Sequence, residues 1–270
     1  MRARKRFAQH WLKSEQVLGE IVTAAELKKS DRLLEIGPGQ GALTDRLLPW
    51  VEALVAVEID RDLVRRLVHR FGKMENFLLL EGDILTLDLK GMLGDFPRFQ
   101  NPNKVVANIP YNITGPILQY LLGTIDQPRA IPYESIVLLV QQEICDRLCA
   151  EPHQKNFGAL SVRVQYLAQC EPICQVPPKA FSPPPKVNSA VVRLRPFVRE
   201  HRAQSPQKLA TLLKVGFASK RKMLRNNLKG LFPEEQINQC FAQLNLNPQS
   251  RAENLGVDDW IALSNKIGEL

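Results

Sequence analysis

No run in the 270 residues is long and apolar enough to span a membrane, and the basic N-terminus lacks the hydrophobic core of a secretory signal. A cytoplasmic protein is expected. The five cysteines are an odd number in a chain large enough to bury a substantial core, so disulfide staples are not expected. Cys145 and Cys149 stand one helical turn apart, as Cys170 and Cys174 would if helical, with His153 between the pairs. Zinc ligands usually converge at shorter spacing, such as Cys-x2-Cys, so no metal is expected. The turn Gly37 to Gly41 carries no lysine, which excludes a triphosphate cradle of the P-loop kind. No internal repeat is visible.

What is present reads as an ordinary soluble protein, 44% hydrophobic and 24% charged. The length favours two unequal domains. The 36 basic and 28 acidic residues leave a net charge of +8, and the excess is local. Residues 1–13 hold Arg2, Arg4, Lys5, Arg6 and Lys13 with no acid, and residues 199–229 hold nine Lys or Arg against Glu200 alone. Two such patches in a balanced chain point to a polyanionic partner.

Ser14 is placed to cap a helix whose apolar residues Val17, Leu18, Ile21, Val22 and Ala25 follow at helical spacing. Arg32 to Ile36 is a short strand running into Gly37-Pro38-Gly39-Gln40-Gly41, after which Ala42, Leu43, Leu47 and Leu48 mark a helix. Strand, glycine turn and helix open a doubly wound sheet that binds a nucleoside cofactor, although many parallel sheets connect this way without a ligand. Glycines such as Gly37 and Gly39 let backbone approach the ligand. The strand Ala53 to Val57 ends in Glu58-Ile59-Asp60, and Glu58 lies 21 residues past Gly37, where an acid accepts from both ribose hydroxyls. Either acid would serve equally as a helix cap. A third strand, Phe77 to Leu80, closes on Glu81-Gly82-Asp83, making Asp83 a candidate reader of an adenine amino group or a plain turn residue.

Asn108-Ile109-Pro110-Tyr111 follows the apolar run Lys104 to Ala107 and presents an amide, two peptide carbonyls and an aromatic face. That set suits a flat amine such as adenine's. The amine's lone pair is delocalised into the ring, so acceptors must draw its hydrogens out of plane before it attacks. The Asn108 side-chain oxygen and a carbonyl of Ile109 or Pro110 are the candidate acceptors, and Tyr111 the stacking surface. A strand-ending turn is the competing reading.

Further on, Pro116 to Leu122, Gln142 to Ala150 and Ala159 to Gln169 read as helices, and Ser135 to Val140 as a buried strand. The run Val176 to Val187 is proline-rich and stiff, holding Phe181 either as an exposed stacking surface or as a plug at the sheet edge. After a polar linker at Pro196 to Pro206, a long helix Leu209 to Leu228 and two more at Pro233 to Leu244 and Asp258 to Ile267 imply a small all-helical domain. On a continuous helix, Lys214, Arg221, Lys222, Arg225 and Lys229 share one arc, while Leu209, Leu213, Phe217, Leu224 and Leu228 share another.

Together these motifs resemble the small-subunit rRNA adenine dimethyltransferases: Phe7 to Leu12, Glu35 to Thr44, Val57 to Asp60, Gly82-Asp83, Asn108 to Ile113, Phe181 to Val187 and Arg221 to Asn226. The likeness covers nearly the whole chain, in order. It implies an α/β fold, a Rossmann-like class I methyltransferase sheet with helices on both faces over residues 1–198, and a helical RNA-docking domain over 199–270. It further implies that S-adenosyl-L-methionine dimethylates the exocyclic amines of two adjacent adenines near the 3′ end of the small-subunit (16S) rRNA, the protein acting as a monomer. Gln9, His10, Leu12, Gly37, Gly39, Glu58, Asp83 and Asn108 would hold the cofactor. Asn108, Ile109, Pro110, Tyr111 and Phe181 would address the target base, and Arg221, Lys222 and Arg225 the RNA. The family's usual Phe-Gly-Gln-Asn-Phe-Leu departs here at Ala8, His10 and Trp11. Enzymes acting on large-subunit rRNA or on DNA adenines share the Asn108 loop, and a non-catalytic RNA-binding or transcription factor on the same fold is the alternative of a different class.

Overall fold

The computed structural model describes residues 10–130 and 133–267. The described residues divide into two compact units, one within the bounds Met1–Leu121, Ile131–Cys145 and Cys170–Pro196, the other within Leu122–Ala130, Asp146–Gln169 and Phe197–Leu270.

The first unit carries the strands β1 (Trp11–Leu12), β2 (Arg32–Ile36), β3 (Ala53–Glu58), β4 (Phe77–Glu81), β5 (Lys104–Asn108), β6 (Ser135–Gln141), β7 (Ala168–Val176), β8 (Phe181–Ser182) and β9 (Ser189–Pro196), β7 starting two residues ahead of its boundary. Seven of them form a sheet in the order β4-β3-β2-β5-β6-β9-β7, while β1 and β8 pair antiparallel on their own, with Leu12 opposite Phe181. The pairings β4-β3, β3-β2, β2-β5 and β5-β6 are parallel, and β6-β9 is antiparallel. Strands buried on both faces read as continuous apolar runs, and β3 is buried at every position. The order reverses beside β2, between β3 on one side and β5 on the other. In open α/β sheets, ligands bind beyond the carboxyl ends of the strands at that reversal.

Helices α1 (Glu15–Ala25), α2 (Thr44–Leu47), α3 (Arg61–Phe71), α4 (Leu89–Met92), α5 (Thr114–Leu122) and α6 (Gln142–Leu148) connect these strands. The Ser14 hydroxyl accepts from Val17 N and caps α1, which buries Val17, Leu18, Ile21, Ala24 and Ala25. Asp60 Oδ1 accepts from Asp62 N at 3.0 Å and caps α3, which buries Leu63, Leu67 and Phe71.

In the second unit lie α7 (Ala159–Leu167), α8 (Pro206–Gly216), α9 (Leu224–Leu228), α10 (Glu234–Gln243) and α11 (Val257–Lys266). One core joins Phe157, Val162 and Tyr166 to Leu212, Phe241 and Trp260. The helical unit is therefore assembled from three stretches of chain, not from residues 199–270 alone, because α7 buries its apolar side in the same core.

Two expected helices end early. The helix over Leu209 to Leu228 is broken between Gly216 and Leu224. Gly216 sits so close to Trp260 that a Cβ would approach its ring to 2.4 Å, and the Asn227 side-chain amide donates to Gly216 O at 2.6 Å and Ser219 O at 3.2 Å. Those side-chain bonds satisfy carbonyls that a continuing helix would have used. The single arc of five basic residues accordingly does not exist, and Lys229 is paired with Glu234 at 2.9 Å. The helix over Ala159 to Gln169 stops at Leu167 and gives way to β7. Cys170 and Cys174 consequently lie on a strand, about 13 Å apart along it, and do not share a helical turn.

Candidate functional site

The carboxyl ends of β2, β3, β4 and β5 open into a cavity of about 240 Å³ whose lining includes His10, Leu12, Gly37, Gly39, Glu58, Asp83 and the Asn108–Ile113 loop. The turn after β2 is held by Gly37 N donating to Val57 O at 2.9 Å and Gly41 N to Pro38 O at 2.9 Å. Its glycines are required. Gly39 has φ +60° with Trp11 3.3 Å from where a Cβ would stand, and Gly41 has φ +79° with the Phe71 ring 2.5 Å away.

At the end of β3 the two acids divide the work that the sequence left open. Asp60 is 1% exposed and caps α3, whereas Glu58 lines the cavity. Glu58 Oε2 accepts from Gly39 N at 3.1 Å and Oε1 from Asp60 N at 2.9 Å, so the carboxylate is oriented before any ligand arrives. Burial raises its pKa, and those backbone N–H groups oppose the rise. Asp83 Oδ1 accepts from Leu85 N at 3.0 Å, an Asx turn that places a cavity-lining carboxylate in a fixed position. Turn residue and cavity acid are here the same residue.

Asn108 donates from Nδ2 to His10 O at 3.1 Å, which leaves Oδ1 as the side chain's acceptor. The hydroxyls of Tyr111 and Ser189 are 2.6 Å apart, and Thr114 Oγ1 donates to Tyr111 O at 3.2 Å, so the ring is anchored at its far end and at its backbone. Burial pushes the Tyr111 pKa up, keeping it neutral. The His10 ring stacks on Tyr111 at 5.8 Å between centroids and 21° between planes, and its Nδ1 donates to Pro183 O at 2.8 Å. Gln9, expected beside it, lies outside the described residues.

Phe181 is not an exposed stacking surface. It is 2% exposed and belongs to the sheet core, held there by pairing opposite Leu12. The aromatic neighbour of Tyr111 is His10 instead. Arg221 and Lys222 are exposed in the connection between α8 and α9, and Arg225 on α9 is half-buried.

Two cavity residues were not singled out from the sequence. Glu35, next to last in β2, is 1% exposed and accepts from Thr44 Oγ1 at 2.7 Å. Burial, with a smaller contribution from the Glu58 charge, pushes its carboxyl up to about 8. An acid inside the apolar run Leu33-Leu34-Glu35-Ile36 was the available signal. Trp11 lines the cavity with an indole N–H that is buried and finds no acceptor among the described residues. Nothing in the residue type announces that.

The donor and acceptor set suits a nucleoside. Glu58 offers oxygens to a diol, Asp83 an acceptor to an amine, and the glycine turn a surface without side chains. The unpaired Trp11 N–H is a further donor in the same wall, of the kind that a bound acceptor would satisfy.

A family model described as ribosomal RNA adenine dimethylase matches residues 1–269. The chain belongs to that family. It is 63% identical over 269 residues to the ribosomal RNA small subunit methyltransferase A of a Picosynechococcus species, covering all of this chain and 98% of that one. It is 60% identical over 268 residues to the protein of the same name from a Nostoc species, with 99% of each chain covered. Among solved structures, a dimethyladenosine transferase from Plasmodium falciparum superposes with a TM-score of 0.78 at 26% identity, over 94% of this chain and 96% of that one. The 23S rRNA methyltransferase ErmE shares the fold, with a TM-score of 0.72 at 21% identity over 95% and 99% of the two chains.

Proposed function

We propose that the protein uses S-adenosyl-L-methionine to dimethylate the exocyclic amines of two adjacent adenines near the 3′ end of small-subunit rRNA, acting as a cytoplasmic monomer. The observation that carries the reading is the Asn108 loop. It stands at the reversal of the sheet, its side-chain amide pinned by His10, in one cavity with Glu58 and Asp83. The full-length likeness to relatives named as small-subunit rRNA methyltransferases supports the choice of RNA.

When bound, the cofactor supplies a methyl group already activated on a sulfonium, so the protein's task is alignment. Glu58 would hold the ribose hydroxyls on the lone pairs left over from Gly39 N and Asp60 N. Asp83 would accept from the cofactor's adenine amine. The target adenine leaves its stack to lie against Tyr111. Asn108 Oδ1 and a carbonyl of Ile109 or Pro110 accept the hydrogens of its amine and turn the nitrogen's lone pair towards the methyl group. No base is needed before attack, because the amine is neutral. Arg221, Lys222 and Arg225 meet phosphates of the rRNA.

The test is transfer of labelled methyl from cofactor to small ribosomal subunits, naked rRNA, large subunits and DNA in parallel. Label in small-subunit rRNA, recovered as dimethyladenosine on digestion, is the expected result. Preferential labelling of DNA or of large subunits overturns the substrate assignment, and binding to small subunits without transfer to any substrate overturns the enzyme.

A further inference from the structure

A second cavity, of about 510 Å³, is lined by Lys13 ahead of α1, by Gln16 and Glu20 on its first turns, by Cys174 and Gln175 at the end of β7 and by Lys179 beyond that strand. Both cavities draw on the segment from Leu12 to Leu18. Leu12 and Leu18 line the first cavity, and their neighbours Lys13 and Val17 line the second. Lys13 and Lys179 are exposed, and among the described residues neither takes part in an ion pair. Elsewhere in this unit, by contrast, Arg193 and Arg195 share Glu26 and Glu171 between them.

The two lysines are also held at fixed places in the backbone. Lys13 N and Ser14 N both donate to Ala180 O, at 2.8 and 3.3 Å, tying the strand end that carries Lys13 to the segment that carries Lys179. Lys179 sits in a short 3-10 turn, Pro178–Ala180, preceded by Pro177, so its backbone has little freedom to lose on binding. The polar remainder, Ser14, Gln16 and Gln175, supplies neutral hydrogen-bonding groups. Glu20 is the one acid in the lining, and it is near enough to Cys174 to push that thiol up, after burial itself.

We infer that this cavity is a phosphodiester subsite for the RNA strand flanking the target adenines, with Lys13 and Lys179 as its cationic contacts. The inference rests on the functional reading above. A base drawn into the first cavity leaves its own strand at the rim, and a strand leaving that rim carries a phosphate at each nucleotide. Lys13, one residue beyond Leu12 of the first cavity's wall, and Lys179, whose segment is tied to it through Ala180 O, offer that strand two ammonium groups outside any ion pair, which phosphate oxygens would neutralise. The contact is to backbone only, so it positions the strand and does not read its sequence.

The experiment measures binding of the full-length protein to small ribosomal subunits over a series of salt concentrations. Lys13→Gln with Lys179→Gln should flatten the slope of log affinity against log salt by about 1.4, the value for two single-strand phosphates. Affinity for S-adenosyl-L-methionine, measured by calorimetry, should stay unchanged. Lys13→Arg with Lys179→Arg should restore the wild-type slope. A wild-type slope in the double Gln variant, or failure of the Arg pair to restore it, overturns the subsite. A wild-type protein that shows no salt-dependent binding to small subunits would instead overturn the RNA reading on which it stands.

Discussion

The cavity at the strand ends and the basic segment of the helical unit are built on opposite physical plans. In the cavity, four polar side chains are held before a ligand arrives: Glu58 by two backbone N–H groups, Asp83 by its Asx turn, Asn108 by His10 and Tyr111 by Ser189. In the helical unit, Arg221 and Lys222 project from a non-helical connection and are exposed. Buried, oriented groups act through geometry and discriminate between ligands of similar charge. Exposed cations act through charge, at longer range, and lose their effect as salt rises. On the proposed reading, chemistry and docking are thus separated by burial, and variants in the two regions should fail in different ways.

The sharpest test of that separation is Asn108→Ala. Removing the oxygen that accepts from the amine should lower the single-turnover rate at saturating cofactor and RNA by about a hundred- to a thousand-fold, the usual cost of one oriented acceptor or donor at a reacting group. Cofactor affinity is allowed a smaller loss, since Asn108 shares the cavity wall. A single-turnover rate near wild type would remove Asn108 from the chemistry.

Next in size are Glu58→Ala and Asp83→Ala. Each removes a charged acceptor from the cavity, worth about 1 to 3 kcal/mol or roughly a five- to 150-fold weaker cofactor complex. Calorimetric titration of both variants decides the matter, and unchanged affinity in both would break the assignment of the cavity to a nucleoside.

On the other side of the comparison, reversing Arg221, Lys222 and Arg225 to Glu should leave cofactor affinity untouched and weaken binding to small subunits. The salt slope should flatten by about 2 to 3, for three lost phosphate contacts. Because these residues do not lie on one helix, the effect of each need not be equal. Exposed Arg221 and Lys222 should account for more of it than half-buried Arg225. Identical slopes for wild type and triple variant would mean that this segment never reaches RNA.

The last effect concerns stability. The Glu35 carboxyl is raised from an ordinary 4.5 to about 8 in the folded protein, chiefly by burial. Between those values the folded state holds more protons than the unfolded chain. The group's unfavourable contribution is therefore absent below about pH 4.5, grows through neutrality and is complete above about pH 8. Glu35→Gln keeps an acceptor for Thr44 and removes the titration. Its melting temperature should exceed that of wild type by more at pH 9 than at pH 5, by roughly ten degrees. A constant offset at both pH values would show that Glu35 is not held protonated by the fold.

Much of the cavity was legible in the chain because its chemistry is local. A glycine turn after an apolar strand, an acid 21 residues later and an Asn-Ile-Pro-Tyr loop after another strand are each defined by a few consecutive residues, and parallel strands bring their ends together. The same residues left two roles open for each acid, and burial settled them: Asp60 became a cap and Glu58 a cavity wall. The helix ends were less legible. The periodicity of Leu209 to Leu228 survives a break at Phe217 to Met223, because the leucines on both sides pack into the same core whether or not the helix is continuous.

By itself, then, the sequence determined the α/β architecture and the family and brought Glu58 and Asp83 forward as candidates, since each is written in short motifs whose backbone geometry is local. Only the tertiary structure decided which aromatic stands beside Tyr111. Phe181 and His10 are both aromatic and both come from segments remote from residue 111 in the chain. Pairing of Trp11–Leu12 with Phe181–Ser182 buries the phenyl ring in the core, where a large apolar group is most stable. The imidazole, with a polar atom to satisfy, stays at the cavity with its Nδ1 on Pro183 O, and it is the pairing of two segments far apart in the chain that brings it to Tyr111.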